Sequence, residues 1–398
     1  MEEKVAFVTG CNGVSGNAIV EHLVRCSKKE WSKIIVTSRS RPPLLWPDPR
    51  LEFIPIDFLD PAEGIVELIR SHCRYVTHAF FTSYVHVDNF SELKEKNIPL
   101  FKNFLDAITT VSPNLKRVCL QTGTKHYGCH LGPVEIPVCE SLPRCKDNGD
   151  NFYYEQEDYL REKQVGSRWY YNVIRPHAIV GYAPHATGMS QALTAAIYLL
   201  VCKEDGDPGA FPGSAFIFDH FDDCSYAPSL ADLSVWASTQ EHCANEDFVH
   251  CNGDVYMFRY FWPRLAAYFG VKAPDSTFPK SGNVRKGHAS EISMVEWASN
   301  KRHIWERICR KYGGKVEAFD WGTWAFFDWS LGKTWVTVAS TAKARKFGWT
   351  RIDNSYDAWI DTFRSFANAG ILPQRSDLVG LDWSWIRGSL QSSPEQRP

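Results

Sequence analysis

The 398-residue chain carries 44 Lys and Arg against 46 Asp and Glu, a formal net charge of -2, so it offers no basic field to draw nucleic acid or anionic lipid. Hydrophobic residues at 44% and charged residues at 23% are those of a folded globular protein with ample core. The longest nearly apolar run, Ala192–Cys202, is far short of the ~20 residues a membrane span needs, and the acidic start from Met1 to Lys4 lacks a secretory signal's positive region, so a cytoplasmic protein with no membrane partner is expected.

Through the first 175 residues, short apolar runs alternate with helix-length amphipathic stretches. The runs are Val5–Val8, Ile34–Thr37, Phe53–Ile56, Val76–Thr82, Arg117–Gln121 and Trp169–Ile174. Strand alternating with helix predicts an α/β chain with a Rossmann-type, doubly wound parallel sheet. Beyond Arg175 the rhythm changes to longer helical stretches, Met189–Cys202, Leu230–Ser238, Met257–Phe269 and Ser355–Phe366, which predict a smaller, mainly helical C-terminal substrate lobe. The stretch Phe248–His250 is expected to return to the first sheet. The predicted division is a Rossmann domain over 1–180 with about 215–255 interleaved, a lobe over about 181–214 and 256–391, and a frayed tail over 392–398.

The segment Val5-Ala-Phe-Val-Thr-Gly-Cys-Asn-Gly-Val-Ser-Gly16 places Gly10, Gly13 and Gly16 after a strand and at the mouth of a helix. Gly10 allows the tight turn, Gly13 lets phosphate oxygens approach the backbone, and Gly16 lets helix and strand pack closely, while the helix N-terminus favours the pyrophosphate charge. Folds of this kind that prefer NAD end the second strand in a carboxylate; here that place reads Thr37-Ser-Arg-Ser-Arg41. Arg39 and Arg41 are suited to a 2′-phosphate, so the expected cofactor is NADP(H). Its contacts are assigned to Thr9, Gly10, Asn12, Gly13, Val14, Gly16, Ser38, Arg39, Arg41, Asp57, Phe58, Thr82, Thr122, Pro176 and Ile179.

Ordinary short-chain dehydrogenases carry Tyr-x-x-x-Lys on a helix, and the chain holds one literal match, Tyr159 to Lys163, preceded closely by Tyr153 and Tyr154. Spacing alone does not choose among the three tyrosines. Gln121-Thr-Gly-Thr-Lys-His-Tyr127 and Asn151-Phe-Tyr-Tyr-Glu-Gln-Glu-Asp158 resemble the two signature segments of the progesterone 5β-reductase and iridoid synthase family, an atypical branch of the extended short-chain dehydrogenases. The similarity continues through Arg175-Pro176 and Asn252-Gly-Asp-Val255 into Ala358-Trp-Ile-Asp361. The resemblance implies Lys125 and Tyr153 as the catalytic pair. It also implies hydride delivery from NADPH to the β-carbon of an α,β-unsaturated carbonyl, the resulting enolate being stabilised by the tyrosine hydroxyl and the neighbouring ammonium.

The chain departs from the family where Gly128-Cys-His-Leu131 intervenes before Gly132-Pro133, and where Phe327 stands at a position the plant members fill with Gly. Substrate contacts are accordingly expected from Tyr84, His126, His130, Phe326 and Phe327, on a small or medium apolar enone or enal. Twelve scattered cysteines without Cys-x-x-Cys, and histidines without metal-ligand spacing, predict reduced thiols and no metal. Carbonyl reduction, a cofactor-retaining isomerisation or cyclisation, and a non-catalytic NADP sensor are the rival readings. Monomer and homodimer are both left open.

Overall fold

The structure, a computed structural model, describes residues 3–43, 47–87, 92–147, 149–274 and 292–376; the tail expected over 392–398 lies outside them. The chain opens with β1 (Lys4–Thr9), α1 (Val14–Arg25), β2 (Trp31–Ser38), β3 (Leu51–Pro55), α2 (Ala62–Cys73), β4 (His78–Phe81), α3 (Leu93–Val111) and β5 (Arg117–Gln121). It continues through α4 (Phe152–Gln164), β6 (Tyr170–Pro176), β7 (Ile179–Val180), α5 (Gln191–Asp205), α6 (Ala215–Asp219), β8 (Phe221–Asp222), β9 (Ser225–Tyr226), α7 (Ala227–Thr239) and β10 (Glu246–His250). The last part holds β11 (Tyr256–Met257), α8 (Phe258–Tyr268), α9 (Met294–Ala298), α10 (Arg302–Tyr312), α11 (Trp324–Leu331), α12 (Ala342–Lys346) and α13 (Ser355–Asn368).

Seven strands form a parallel sheet in the order β10-β6-β5-β4-β1-β2-β3. Because successive residues of a strand face opposite sides, the continuous apolar runs of β1 and β2 feed two cores. Phe7 and Ile35 pack with Ile69 of α2, Phe101 of α3 and Leu160 of α4, whereas Ala6, Val8 and Val36 pack with Ile19 of α1 and Leu230 of α7. A third core surrounds α5, whose residues from Gln191 to Cys202 are all buried, with Trp262 of α8, Trp305 of α10 and Trp359 of α13 around it. Many of the chain's Trp and Phe side chains pack in this lobe core. Among the described residues no helix is long and apolar enough to cross a membrane.

The two parts of the chain are interleaved. Strand β8 pairs with β11, so the chain at 221–222 lies with the lobe, and it returns toward the large sheet through β9, which pairs with β7 just after β6. Farther on, Ala344 and Trp349 are buried in the same core as α1 and α7; the lobe's late segment therefore pins the edge of the sheet.

The glycine turn is fixed by contact. Gly10 adopts φ +65, and a Cβ added to Gly16 would fall 2.2 Å from the carbonyl oxygen of Gly10. Gly16→Ala should gain ~0.5–1 kcal/mol of helix propensity yet lose on the order of 1–3 kcal/mol to overpacking, so urea unfolding should show a net loss. A variant at least as stable as the parent would mean that the turn yields freely.

Candidate active site

A parallel sheet leaves a crevice where neighbouring strands send their connections to opposite faces, at the strands' C-terminal ends. Here that place lies between β1 and β4, and a cleft of about 490 Å³ opens over it. Its lining follows the strand ends in turn: Gly10, Asn12, Gly13 and Val14 after β1, Ser38 and Arg39 after β2, Asp57 and Phe58 after β3, and Thr82 and Tyr84 after β4. Thr122 beyond β5, Tyr153 on α4 and Ile179 beyond β6 complete the expected residues that meet there.

The sequence reading missed Gln121. Its Nε2 donates to Ser15 Oγ at 2.8 Å, which leaves Oε1 buried at the cleft without a hydrogen-bond partner. An unmet buried acceptor beside a glycine turn that a Cβ would fill is a cradle for a ligand with N–H donors and phosphates. A dinucleotide fits these residues. His86 also lines the cleft; a Cβ on Gly188 would lie 2.5 Å from its Cγ, so the absence of a side chain there lets the imidazole close one side of the cleft.

Several expected contacts are placed elsewhere. Thr9 is wholly buried and receives the amides of Thr82 and Ser83 at 3.1 and 3.2 Å, so it ties β1 to β4 rather than facing the cleft. Gly16 acts through packing, and Pro176 does not line the cleft. The Arg41 guanidinium sits over the Phe53 ring, 5.9 Å from its centre, and only Arg39 of the two arginines borders the cleft. Phe327 is wholly buried in the lobe core, and Phe326 stacks on Trp329 with ring centres 5.8 Å apart; neither reaches the cleft. His130 is likewise outside the lining; burial and then the charge of Lys125 hold its imidazole down to about 4. One carboxylate and histidine grouping invisible to spacing also forms. His177 bonds to Asp223 beside Asp222, and Lys333 Nζ, 3.6 Å from Asp222, supplies the positive charge there.

Helix α4 presents different chemistry on each face. Phe152, Tyr153 and Gln156 face the cleft. Tyr159 and Lys163 instead both reach Asp106 of α3, at 2.7 and 2.9 Å, so the literal Tyr-x-x-x-Lys pair is an outer-surface ion cluster. Asn151, Tyr154 and Glu157 meet the turn Thr124–Tyr127. Asn151 Nδ2 donates to the Lys125 carbonyl at 2.8 Å, Tyr154 Oη donates to the His126 carbonyl, and Glu157 Oε1 lies 3.1 Å from His126 Nδ1. His126 is therefore a buried structural partner and not a substrate contact.

Glu157 is wholly buried and pairs with Arg175 at 3.0 and 2.7 Å, while Arg175 also reaches Asp247 at 2.7 Å. Burial pushes the Glu157 carboxyl up, but the hydrogen bond with His126 and the Arg175 charge outweigh it and hold the group down to about 2. Burial, with the neighbouring Tyr84 and Glu157, pushes the Tyr153 hydroxyl far above its ordinary value. It stays protonated at any working pH. Lys125 is half-buried on the turn and outside the cleft lining, and burial lowers its ammonium to about 8.

The family model of the PRISE-like Rossmann-fold domain matches residues 6–373. The chain belongs to that family. A short chain dehydrogenase, gsfE, of Penicillium aethiopicum is 42% identical over 93% of this chain and 100% of its own length. A 3-oxo-Delta(4,5)-steroid 5-beta-reductase of Arabidopsis thaliana is 31% identical over 92% of both chains, and an (S)-8-oxocitronellyl enol synthase of Nepeta cataria is 33% identical, again over 92% of both. Among solved structures, the WbmH enzyme of Bordetella bronchiseptica in complex with NAD+ superposes with a TM-score of 0.60 over 92% of this chain and 99% of its own, at 15% identity. A UDP-glucose 4-epimerase of Thermotoga maritima gives a TM-score of 0.62 over 91% and 99% at 14% identity. These structures share the fold.

For this PRISE-like chain the Glu157 cluster has a measurable signature. Glu157→Gln keeps the shape and removes the charge that Arg175 and His126 face, and should cost about 3 kcal/mol at neutral pH. A carboxyl held below its ordinary 4.5 contributes stability that is complete above that value and lost as pH falls toward about 2. The gap between parent and variant in urea unfolding should therefore narrow across that window. A gap of constant size would assign the loss to something other than the charge.

Proposed function

We propose that the protein is an NADPH-dependent reductase that adds hydride 1,4 to the activated C=C bond of a small or medium apolar α,β-unsaturated carbonyl, in secondary metabolism. The observation that carries this reading is the Tyr153 hydroxyl, held protonated at a cleft whose other end is a dinucleotide cradle bordered by Arg39. The names of the relatives support it. In a 3-oxo-Δ4,5 steroid the double bond is conjugated with the carbonyl and 5β-reduction places hydrogen at the β-carbon; an enol is what such an addition leaves before ketonisation.

Gly10, Gly13 and the start of α1 would hold the pyrophosphate, Asp57 and Phe58 border the adenine end, and Arg39, planar and always charged, suits a 2′-phosphate. A reduced nicotinamide held there supplies hydride. Tyr153 donates its hydrogen bond to the substrate carbonyl oxygen, and that bond strengthens as negative charge develops. Lys125, from its turn, adds positive charge to the same region. Because Tyr153 is pushed upward and not downward, it acts as a donor that keeps its proton, and the enolate need not be protonated by it.

NADPH consumption with a panel of enones and enals, followed by product analysis, tests this. Tyr153→Phe should lower kcat on the order of 10²–10³-fold, and Arg39→Ala should weaken NADPH far more than NADH. Since Lys125 is charged below about 8 and neutral above it, kcat/KM should fall as pH rises through that value, and Lys125→Met should lose this limb. An allylic alcohol, or an isomer formed with NADPH unspent, would replace the proposal with carbonyl reduction or isomerisation; NADPH binding without turnover of any panel member would favour a sensor.

A further inference from the structure

Lys125 and Tyr153 stand on separate elements, the turn after β5 and the first turn of α4, 28 positions apart in the chain. Something must fix their separation. The Asn151 side chain touches the backbone of both: Oδ1 accepts from the Tyr153 amide at 3.3 Å, and Nδ2 donates to the Lys125 carbonyl at 2.8 Å. The Lys125 carbonyl also accepts from the Gly128 amide at 3.0 Å, so both of its lone pairs are used, and the Asn151 amide is anchored in turn on Asp147 at 2.6 Å.

We infer that Asn151 is a positioning residue for the proposed reduction, its carboxamide setting the distance between Lys125 and Tyr153. The inference rests on the catalytic reading of those two residues. An N-cap needs only an acceptor, which Ser and Asp provide about as well as Asn. The link to Lys125 needs a donor as well, and of the good capping side chains the amide alone holds an acceptor and an N–H donor at fixed separation. In Asp the second oxygen would face the Lys125 carbonyl and repel it; Ser cannot reach across. Helix capping and the link between the two residues are therefore separable by substitution.

The test uses the full chain with Asn151→Ser and Asn151→Asp. Both keep the cap, and in Asn151→Ser, which introduces no repulsion, the melting temperature should stay close to the parent's. With an accepted enone, kcat should fall on the order of 10–100-fold, the size a misplacement of about 1 Å produces, with NADPH affinity unchanged. In Asn151→Ser the pH limb assigned to Lys125 should move upward as the loosened turn lets water reach the ammonium. A second readout needs no substrate: competitive labelling of amines across pH, read by peptide mass spectrometry, reports the Lys125 midpoint directly, and it should rise in Asn151→Ser. An unmoved midpoint with unchanged kcat, or a kcat loss matched by an equal loss of folded protein, would overturn the inference. If the parent reduces no enone while the midpoint still moves in Asn151→Ser, the reductase reading fails and the positional link stands.

Discussion

A carboxylate taken wholly out of water must be met by charge or hydrogen bonds, because leaving it unpaired costs several kcal/mol. Glu157 is so placed, and its partners come from different parts of the chain: Arg175 at the end of β6, His126 on the turn after β5, and Arg161 one helical turn along at 3.3 Å. Each contact is local, yet together they fix how deep α4 sits against the sheet. Tyr153 is four residues earlier, one turn of helix away. The height of its hydroxyl over the cleft is thus inherited from an ion pair that never touches the cleft.

The cleft itself follows from topology. Strands β1 and β4 are neighbours whose connections leave in opposite directions, so a gap opens beyond their ends whatever the side chains are. What the sequence adds is restraint of that gap. Thr9 holds the two strand ends together through Thr82 and Ser83, and Gly10 turns tightly enough to bring α1 up to the opening. On the far side, His86 rests over Gly188, so the wall after β4 and the segment leading to α5 meet without a bulky contact between them.

The sheet was legible because period and alternation decide it locally: six apolar runs and the later return at Phe248 all became strands of one sheet. The glycine turn was legible because each glycine answers a steric need within seven residues. Side-chain direction on short turns and helices was not. His126 points into Glu157, Arg41 onto Phe53 and Phe327 into the lobe core because distant residues complete those environments. The grouping of His177 with Asp222 and Asp223 bridges 46 positions, and Gln121 matters through an acceptor left over after Ser15 is satisfied. None of these is a spacing.

The two tyrosine–lysine pairs show why the literal motif misleads. Six residues along an α-helix rotate a side chain by about 600°, leaving Tyr159 roughly 120° away from Tyr153. One faces the cleft; the other meets Asp106 on α3, together with Lys163, on the outer surface away from the cleft. A lysine four residues after its tyrosine has its position set by helix geometry, whereas Lys125 arrives on its own turn, held by hydrogen bonds from Asn151 and Gly128. Its depth can then differ from that of Tyr153. Burial lowers its ammonium to about 8 while the same burial raises the tyrosine, so the proton is fixed on the hydroxyl and less strongly held on the amine, as the proposed enolate stabilisation would need.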